Sequence, residues 1–202
     1  MKQQQYSQPQ KNEVRTKSLT HAVEILTLKR ELSPVVPKGY VRGVRDFLIQ
    51  RNESDDKLVA SKCPDELCTL WESLWESKNG QKTPESLLVA YLAGPEPLND
   101  FNELVRLGVH PYNIFACESD NKTFNEALTN IKGSYFPLLK IIPTKIDTYL
   151  ESVPCQFDII YIDACGPIPS NNQNTTRIIA NIFRHQRLTS PGVLITNFAH
   201  LI

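Results

Sequence analysis

The sequence predicts an α/β fold, a doubly wound and mostly parallel sheet preceded by a helical N-terminal region. Three observations carry this. Beyond Glu85, short apolar runs alternate with amphipathic stretches and short loops, the pattern of successive βα units. The runs at 87–92, 113–117 and 157–162 are apolar at nearly every position and do not alternate with polar residues, as expected where helices cover both faces of a sheet. Each run stops abruptly at small or acidic residues: Ala93-Gly94-Pro95, Glu118-Ser119-Asp120 and Asp163-Ala164-Cys165-Gly166-Pro167. In open parallel sheets ligands bind outside the carboxyl ends of the strands.

Residues 1–10 contain five Gln and one Pro, and a basic, Gln-rich tail over 1–17 is expected to be disordered. A helical region follows over 18–80. Its first helix is expected at 18–31, where Leu19, Ala22, Val23, Leu26 and Leu28 fall mostly at three- and four-residue steps before Ser33-Pro34. An extended linker, Val35-Val36-Pro37-Lys38-Gly39-Tyr40, leads to a short helix at 41–50 with Val44, Phe47 and Leu48 inward, then a charged turn at 51–56. A third helix is expected at 64–78. Its face of Leu67, Leu70, Trp71, Leu74 and Trp75 would dock on the main domain, the two tryptophans lying four residues apart on one side.

The main domain is expected over 85–202. After the strand at 87–92 comes a helix at 98–107 closed by Gly108. The strand at 113–117 leads to a helix at 122–131 ended by Gly133, with Asp120 as its N-cap. A strand at 139–142, a helical turn at 146–150 and the strand at 157–162 follow. A helix at 175–183, capped by Asn174 or Thr175, and a strand at 192–198 complete the pattern. Right-handed crossovers then place helices on both faces.

Composition narrows the classes. Of 202 residues, 41% are apolar and 22% charged, ordinary for a globular domain. No run approaches the roughly 18 apolar residues of a membrane span, and residues 1–17 lack the hydrophobic centre of a signal peptide. A cytoplasmic location is expected, in keeping with five cysteines, an odd number, of which Cys117, Cys155 and Cys165 sit in or beside apolar runs. Cys63 and Cys68 have finger-type spacing, but no second Cys/His pair follows and no metal is expected. Residues 1–45 hold nine Lys/Arg against three Glu, while the remainder is acidic. That basic segment is a candidate contact for nucleic acid, although it lacks interleaved aromatic stacking residues.

The order of signals over 85–202 resembles a class I S-adenosylmethionine-dependent methyltransferase of Rossmann-like fold. In that family a glycine loop after strand one wraps the methionine half of the cofactor, and an acid ending strand two binds the ribose hydroxyls. Residues after strand three hold the adenine, and the loop after strand four faces the methyl group. The matching pieces here are Ala93-Gly94-Pro95-Glu96-Pro97, Glu118-Ser119, Thr144-Lys145 and Asp163-Ala164-Cys165-Gly166-Pro167. The resemblance implies S-adenosylmethionine as cofactor, bound by Ala93, Gly94, Glu96, Glu118, Ser119, Thr144, Lys145 and Asp163. Asp163 is also the candidate catalytic residue.

Glu118 follows Gly94 by 24 residues, close to the roughly 20 of a nucleotide-binding βαβ unit. A carboxylate there suits vicinal hydroxyls, though an acid at a strand end also serves as a turn or cap residue. Two departures stand out: the loop has one glycine, followed by two prolines at 95 and 97, and the segment after Asp163 lacks the inner prolines and the aromatic residue of amine methylases. A catalytically inactive binding or assembly module, and an RNA- or DNA-directed methyltransferase, therefore stand as alternatives. The methyl acceptor is unidentified. Family members continue past strand five, whereas this sequence stops at Ile202. The domain is expected to be incomplete at that end, or its strand-five edge to be covered by a partner protein.

Overall fold

A computed structural model describes residues 9–32, 36–51, 53–80, 82–134, 139–164, 168–170 and 174–197. The strands β1 (Val89–Leu92), β2 (Ile114–Cys117), β3 (Lys140–Ile142), β4 (Phe157–Asp163) and β5 (Leu188–Asn197) form one sheet in the order β3-β2-β1-β4-β5. All neighbours are parallel, with Ala90 opposite Phe115 on one side and Ile160 on the other. Successive crossovers build outward from β1 to β3, then return past β1 to β4 and β5. The order thus reverses between β1 and β4, where the loops leaving the two strands part and open a crevice. This is the predicted α/β architecture, Rossmann-like and parallel throughout.

Alternate residues of the central strands feed two cores. Val89, Tyr91 and Ile159 point to the face covered by α1 (Pro9–Leu26) and α5 (Leu98–Arg106), packing with Leu19, Leu26 and Phe101. Ala90, Ile160 and Ile162 point to the other face, against Leu150 of α7 (Ile146–Ser152) and Ile182 of α8 (Thr175–Arg184). The helix α6 (Asn121–Lys132) crosses from β2 to β3, with Asp120 accepting from the Thr123 N–H at 2.8 Å as its N-cap. Both the cap and the alternation agree with the sequence reading. Gly133 ends α6, but with φ −89°, outside the left-handed region.

Helix α1 departs most from expectation. It begins at Pro9, so residues 9–17 are helical where a disordered tail was predicted; residues 1–8 lie outside the described residues. Its buried stripe is Arg15, Leu19, Ala22, Val23 and Leu26. The helical period therefore continues one turn upstream through a cation, which polarity alone disguises. Leu19, Ala22 and Leu26 are fully buried, so α1 belongs to the core of the sheet.

The region between α1 and β1 contains α2 (Tyr40–Arg51), α3 (Ser54–Ser61) and α4 (Asp65–Asn79). Helix α3 occupies much of the stretch read as a charged turn. Asp55 and Asp56 lie in its first turn, where the helix dipole favours acids. The inward face expected of α2 is not formed, since Val44 and Phe47 are exposed. On α4, Leu67, Leu70 and Leu74 are likewise exposed and only Cys68 is buried. Trp71 and Trp75 donate their indole N–H groups to the Lys38 and Val36 carbonyls, each at 2.9 Å. The tryptophans thus hold the linker, and Arg42 ties α2 to α4 through Asp65 and Glu72.

Strand β5 starts four residues earlier than predicted, running through Pro191. Its position at the sheet edge makes that proline tolerable. Phe198, predicted to end it, lies outside the described residues.

Gly108 closes α5 with φ +93°, and a Cβ there would sit 3.1 Å from Pro84 Cβ. Gly108→Ala should lower stability by about 1–2 kcal/mol, from left-handed strain plus the close contact. A urea titration checks this, and an unchanged midpoint would show that the turn tolerates a side chain.

Candidate functional site

At the reversal point a cavity of about 430 Å³ opens over the carboxyl ends of β1, β2 and β4, within the usual size of small-molecule sites. Its floor is the loop leaving β1. Ala93 N–H donates to the Cys117 carbonyl at 3.0 Å, and Asn130 of α6 donates to the Pro95 carbonyl at 2.9 Å. These bonds pin the loop between β2 and α6. Gly94 has φ +60°, a left-handed conformation that needs glycine, and nothing lies within 4 Å of where its Cβ would be. Ala93, Gly94, Pro95 and Glu96 all line the cavity, so the proline-rich bend forms a wall and does not plug the space. Glu96 is engaged by Asn99 Nδ2 at 2.9 Å.

Glu118 follows β2 and lines the cavity with Ser119. Its backbone N–H extends the β2–β3 pairing through the Ile142 carbonyl at 3.1 Å, which fixes where the side chain emerges. Oε1 accepts from the Asp120 N–H at 2.8 Å, and Oε2 has no hydrogen-bond partner among the described residues. The acid is therefore a turn residue and a cavity wall at once. Lys145, the N-cap of α7, also lines the cavity. Thr144 does not; its N–H folds back to the Ile142 carbonyl at 2.8 Å.

Asp163 ends β4 and reaches the same cavity with Ala164. Asn197 at the end of β5 donates to it at 3.0 Å, across the register pair that aligns the two residues. Cys165, Gly166 and Pro167 of the following loop lie outside the described residues. Asn174, expected as a cap, has φ +52° and makes no side-chain capping bond, yet its side of α8 lines the cavity.

Seven of the eight predicted positions thus converge: Ala93, Gly94, Glu96, Glu118, Ser119, Lys145 and Asp163. Sequence reasoning missed the side supplied by α1. Lys11 and Arg15 line the cavity, and Arg15 Nε donates to Asp100 Oδ1 at 2.6 Å while its Nη1 donates to Asn12. Asp100 stands in the first turn of α5 and is nearly buried. Burial pushes its carboxyl up to about 6, opposed by Arg15 and reinforced by Asp163. Asp147, in the first turn of α7, is also buried and pairs with Arg177 Nε at 3.3 Å. The available signal was positional: acids in the first turn of helices that follow a strand end.

The lining contains five acids (Glu96, Asp100, Glu118, Asp147, Asp163) and three bases (Lys11, Arg15, Lys145). That balance disfavours a phosphate and suits a ligand carrying positive charge. Among the described residues no cluster of His, Cys, Asp and Glu could hold a metal ion, and no helix is long and apolar enough to cross a membrane.

No protein-family model and no curated protein matches the sequence. Nineteen chains of solved structures match the fold. One is a ribosomal protein L11 methylase from Lactobacillus delbrueckii subsp. bulgaricus, 17% identical, with a TM-score of 0.41 over 64% of this chain. The chain spans 59% of the length of that methylase.

Proposed function

We propose that the protein binds S-adenosylmethionine and transfers its methyl group to an acceptor. The observation that carries this reading is Glu118: a carboxylate at the tip of β2, with one oxygen unpartnered among the described residues, on the wall of an open cavity at the strand-order reversal. Such an oxygen suits ribose hydroxyls through charge-assisted hydrogen bonds. Gly94 leaves the β1 loop open to close approach, and the acid-rich lining suits a sulfonium and an ammonium group.

The bound cofactor would supply an activated methyl group, so the protein's task is positioning and exclusion of water. Glu118 and Ser119 hold the ribose side, Lys145 borders the adenine side, and Ala93, Gly94 and Glu96 border the methionine side. Asp163, oriented by Asn197, stands where an acceptor proton can be received. Arg15 and Lys11 of α1 close the cavity from above.

The basic residues of the leading segment are largely matched by acids. Arg15 pairs with Asp100, Lys17 with Glu13, Lys29 with Glu24, Lys38 with Glu76, and Arg42 with Asp65 and Glu72. Neutralised in this way, they favour an acceptor other than a polyanion.

Titration calorimetry with S-adenosylmethionine and with its demethylated product tests the reading. Binding is expected for both, and Glu118→Ala should weaken it about 10- to 100-fold, the worth of one or two hydrogen bonds to a charged group. No heat with either compound overturns the proposal. Binding unaffected by Glu118→Ala would remove the carboxylate from the site.

A further inference from the structure

Away from the cavity, the corner between α3 and α4 brings two thiols together. Cys63, on the turn, and Cys68, in the second turn of α4, have Sγ atoms 3.8 Å apart. Cys63 is half-buried and Cys68 fully buried. The corner is fixed by backbone bonds, with Cys63 N–H donating to the Ala60 carbonyl at 3.1 Å and Cys68 N–H to the Pro64 carbonyl at 3.4 Å. Zinc would need further ligands, and no metal-holding cluster exists among the described residues.

We propose that Cys63 and Cys68 are a reversible dithiol–disulfide pair, with Cys63 the thiol that attacks small-molecule disulfides of the glutathione class and Cys68 the resolving thiol. The asymmetry in access sets the order of events. The Cys63 thiolate attacks one sulfur of the external disulfide, forming a mixed disulfide and releasing one thiol. Cys68 then loses its proton to solvent and attacks Cys63 Sγ, breaking the mixed disulfide and releasing the second thiol. Two electrons pass from the protein dithiol to the external disulfide, which ends as two thiols.

The surroundings support this division of labour. Burial raises the Cys68 thiol above its usual range, with the hydrogen bond to Cys63 adding to it, so Cys68 stays protonated towards outside reagents. Arg45, with Arg42 behind it, acts in the opposite direction and favours the thiolate once it forms. The sulfurs, 3.8 Å apart, need to approach to about 2.05 Å. Oxidation would tie the α3–α4 turn covalently to α4, whose Trp71 and Trp75 hold the linker.

Tryptic cleavage after Lys62 and Lys78 isolates residues 63–78, a peptide with no other cysteine. Reduced full-length protein is incubated with oxidised glutathione, alkylated in denaturant and mapped by mass spectrometry. The expected peptide is lighter than the dithiol by two hydrogens, resists alkylation, and becomes alkylatable after treatment with dithiothreitol. In Cys68→Ser the same treatment should leave a lasting glutathione adduct on Cys63. A wild-type peptide that ends with glutathione on Cys63, or with both thiols alkylated, overturns the proposal. Should Cys68→Ser fail to fold, the wild-type peptide decides alone, and the outcome is independent of whether the cavity binds a cofactor.

Discussion

Asp158→Ala is expected to cost the fold about 3–5 kcal/mol, the range for removing one partner of a buried charged network. Asp158 is almost fully buried near the start of β4, within the apolar sequence Phe157-Asp158-Ile159. Its Oδ2 accepts from the Leu88 N–H at 3.0 Å, just before β1. Its Oδ1 accepts from Lys82 Nζ at 2.5 Å and from Thr189 Oγ1 of β5 at 3.0 Å. One carboxylate therefore joins β1, β4, β5 and the segment leading into the sheet. Alanine would take the acceptor from the Leu88 N–H in this part-buried bond. Lys82 is partly exposed and Thr189 keeps the Pro191 carbonyl at 2.8 Å, so neither donor is stranded by that change, whereas Lys82→Met leaves the buried carboxylate without its counter-charge and should also destabilise. Urea unfolding at neutral pH measures both variants, provided the slope with denaturant stays unchanged. A loss below about 1 kcal/mol for Asp158→Ala would show that the carboxylate is not an anchor.

Asp158 also shows what a sequence conceals. An acid inside an apolar run is read as part of the strand, because its three donors lie 31 to 76 residues away. The strands and the Asp120 cap were legible since they depend on near neighbours. Val89 to Leu92, Gly108 and Asp120 behave as local rules require. The lower wall of the cavity was legible for a related reason. Parallel topology places all strand carboxyl ends at one rim, so residues such as Gly94, Glu118 and Asp163 meet without long-range information.

The upper wall was not legible, because it depends on where α1 packs. Arg15 looks like one more charge in a polar leader until Asp100 is seen opposite it, 85 residues along the chain. The exposed faces of α2 and α4 failed in the other direction. Val44, Phe47, Leu67 and Leu70 repeat with helical spacing, and periodicity says that a face exists without saying what lies against it. Thr144 was misplaced by one step, since the chain turns back at Ile142 and presents its neighbour Lys145 to the cavity.

The pair Arg15–Asp100 leads to a second large effect, in pH dependence. Asp100 is pushed up from 3.8 to about 6, chiefly by burial, with Asp163 adding to the rise and Arg15 opposing it. A carboxyl raised in the folded state binds its proton more tightly there than in the unfolded chain. Its contribution to stability is therefore fully present below pH 3.8 and is lost as pH rises through about 6. The shift of roughly two units corresponds to about 3 kcal/mol. Comparison with Asp100→Asn isolates it, since asparagine keeps an oxygen for Arg15 and does not titrate, and other acid-linked transitions cancel in the difference. Relative to Asp100→Asn, the wild-type protein should lose about 3 kcal/mol between pH 3 and pH 7, read from denaturant midpoints at each pH. A flat difference would mean that Arg15 offsets burial completely and that the carboxyl titrates alike in the folded and unfolded chains. The same proton bears on the cavity. With Asp100 protonated, Arg15 faces the interior without its counter-charge, which opposes a cationic ligand. S-adenosylmethionine affinity should therefore rise as pH passes through about 6 in the wild type, and that rise should be lost in Asp100→Asn.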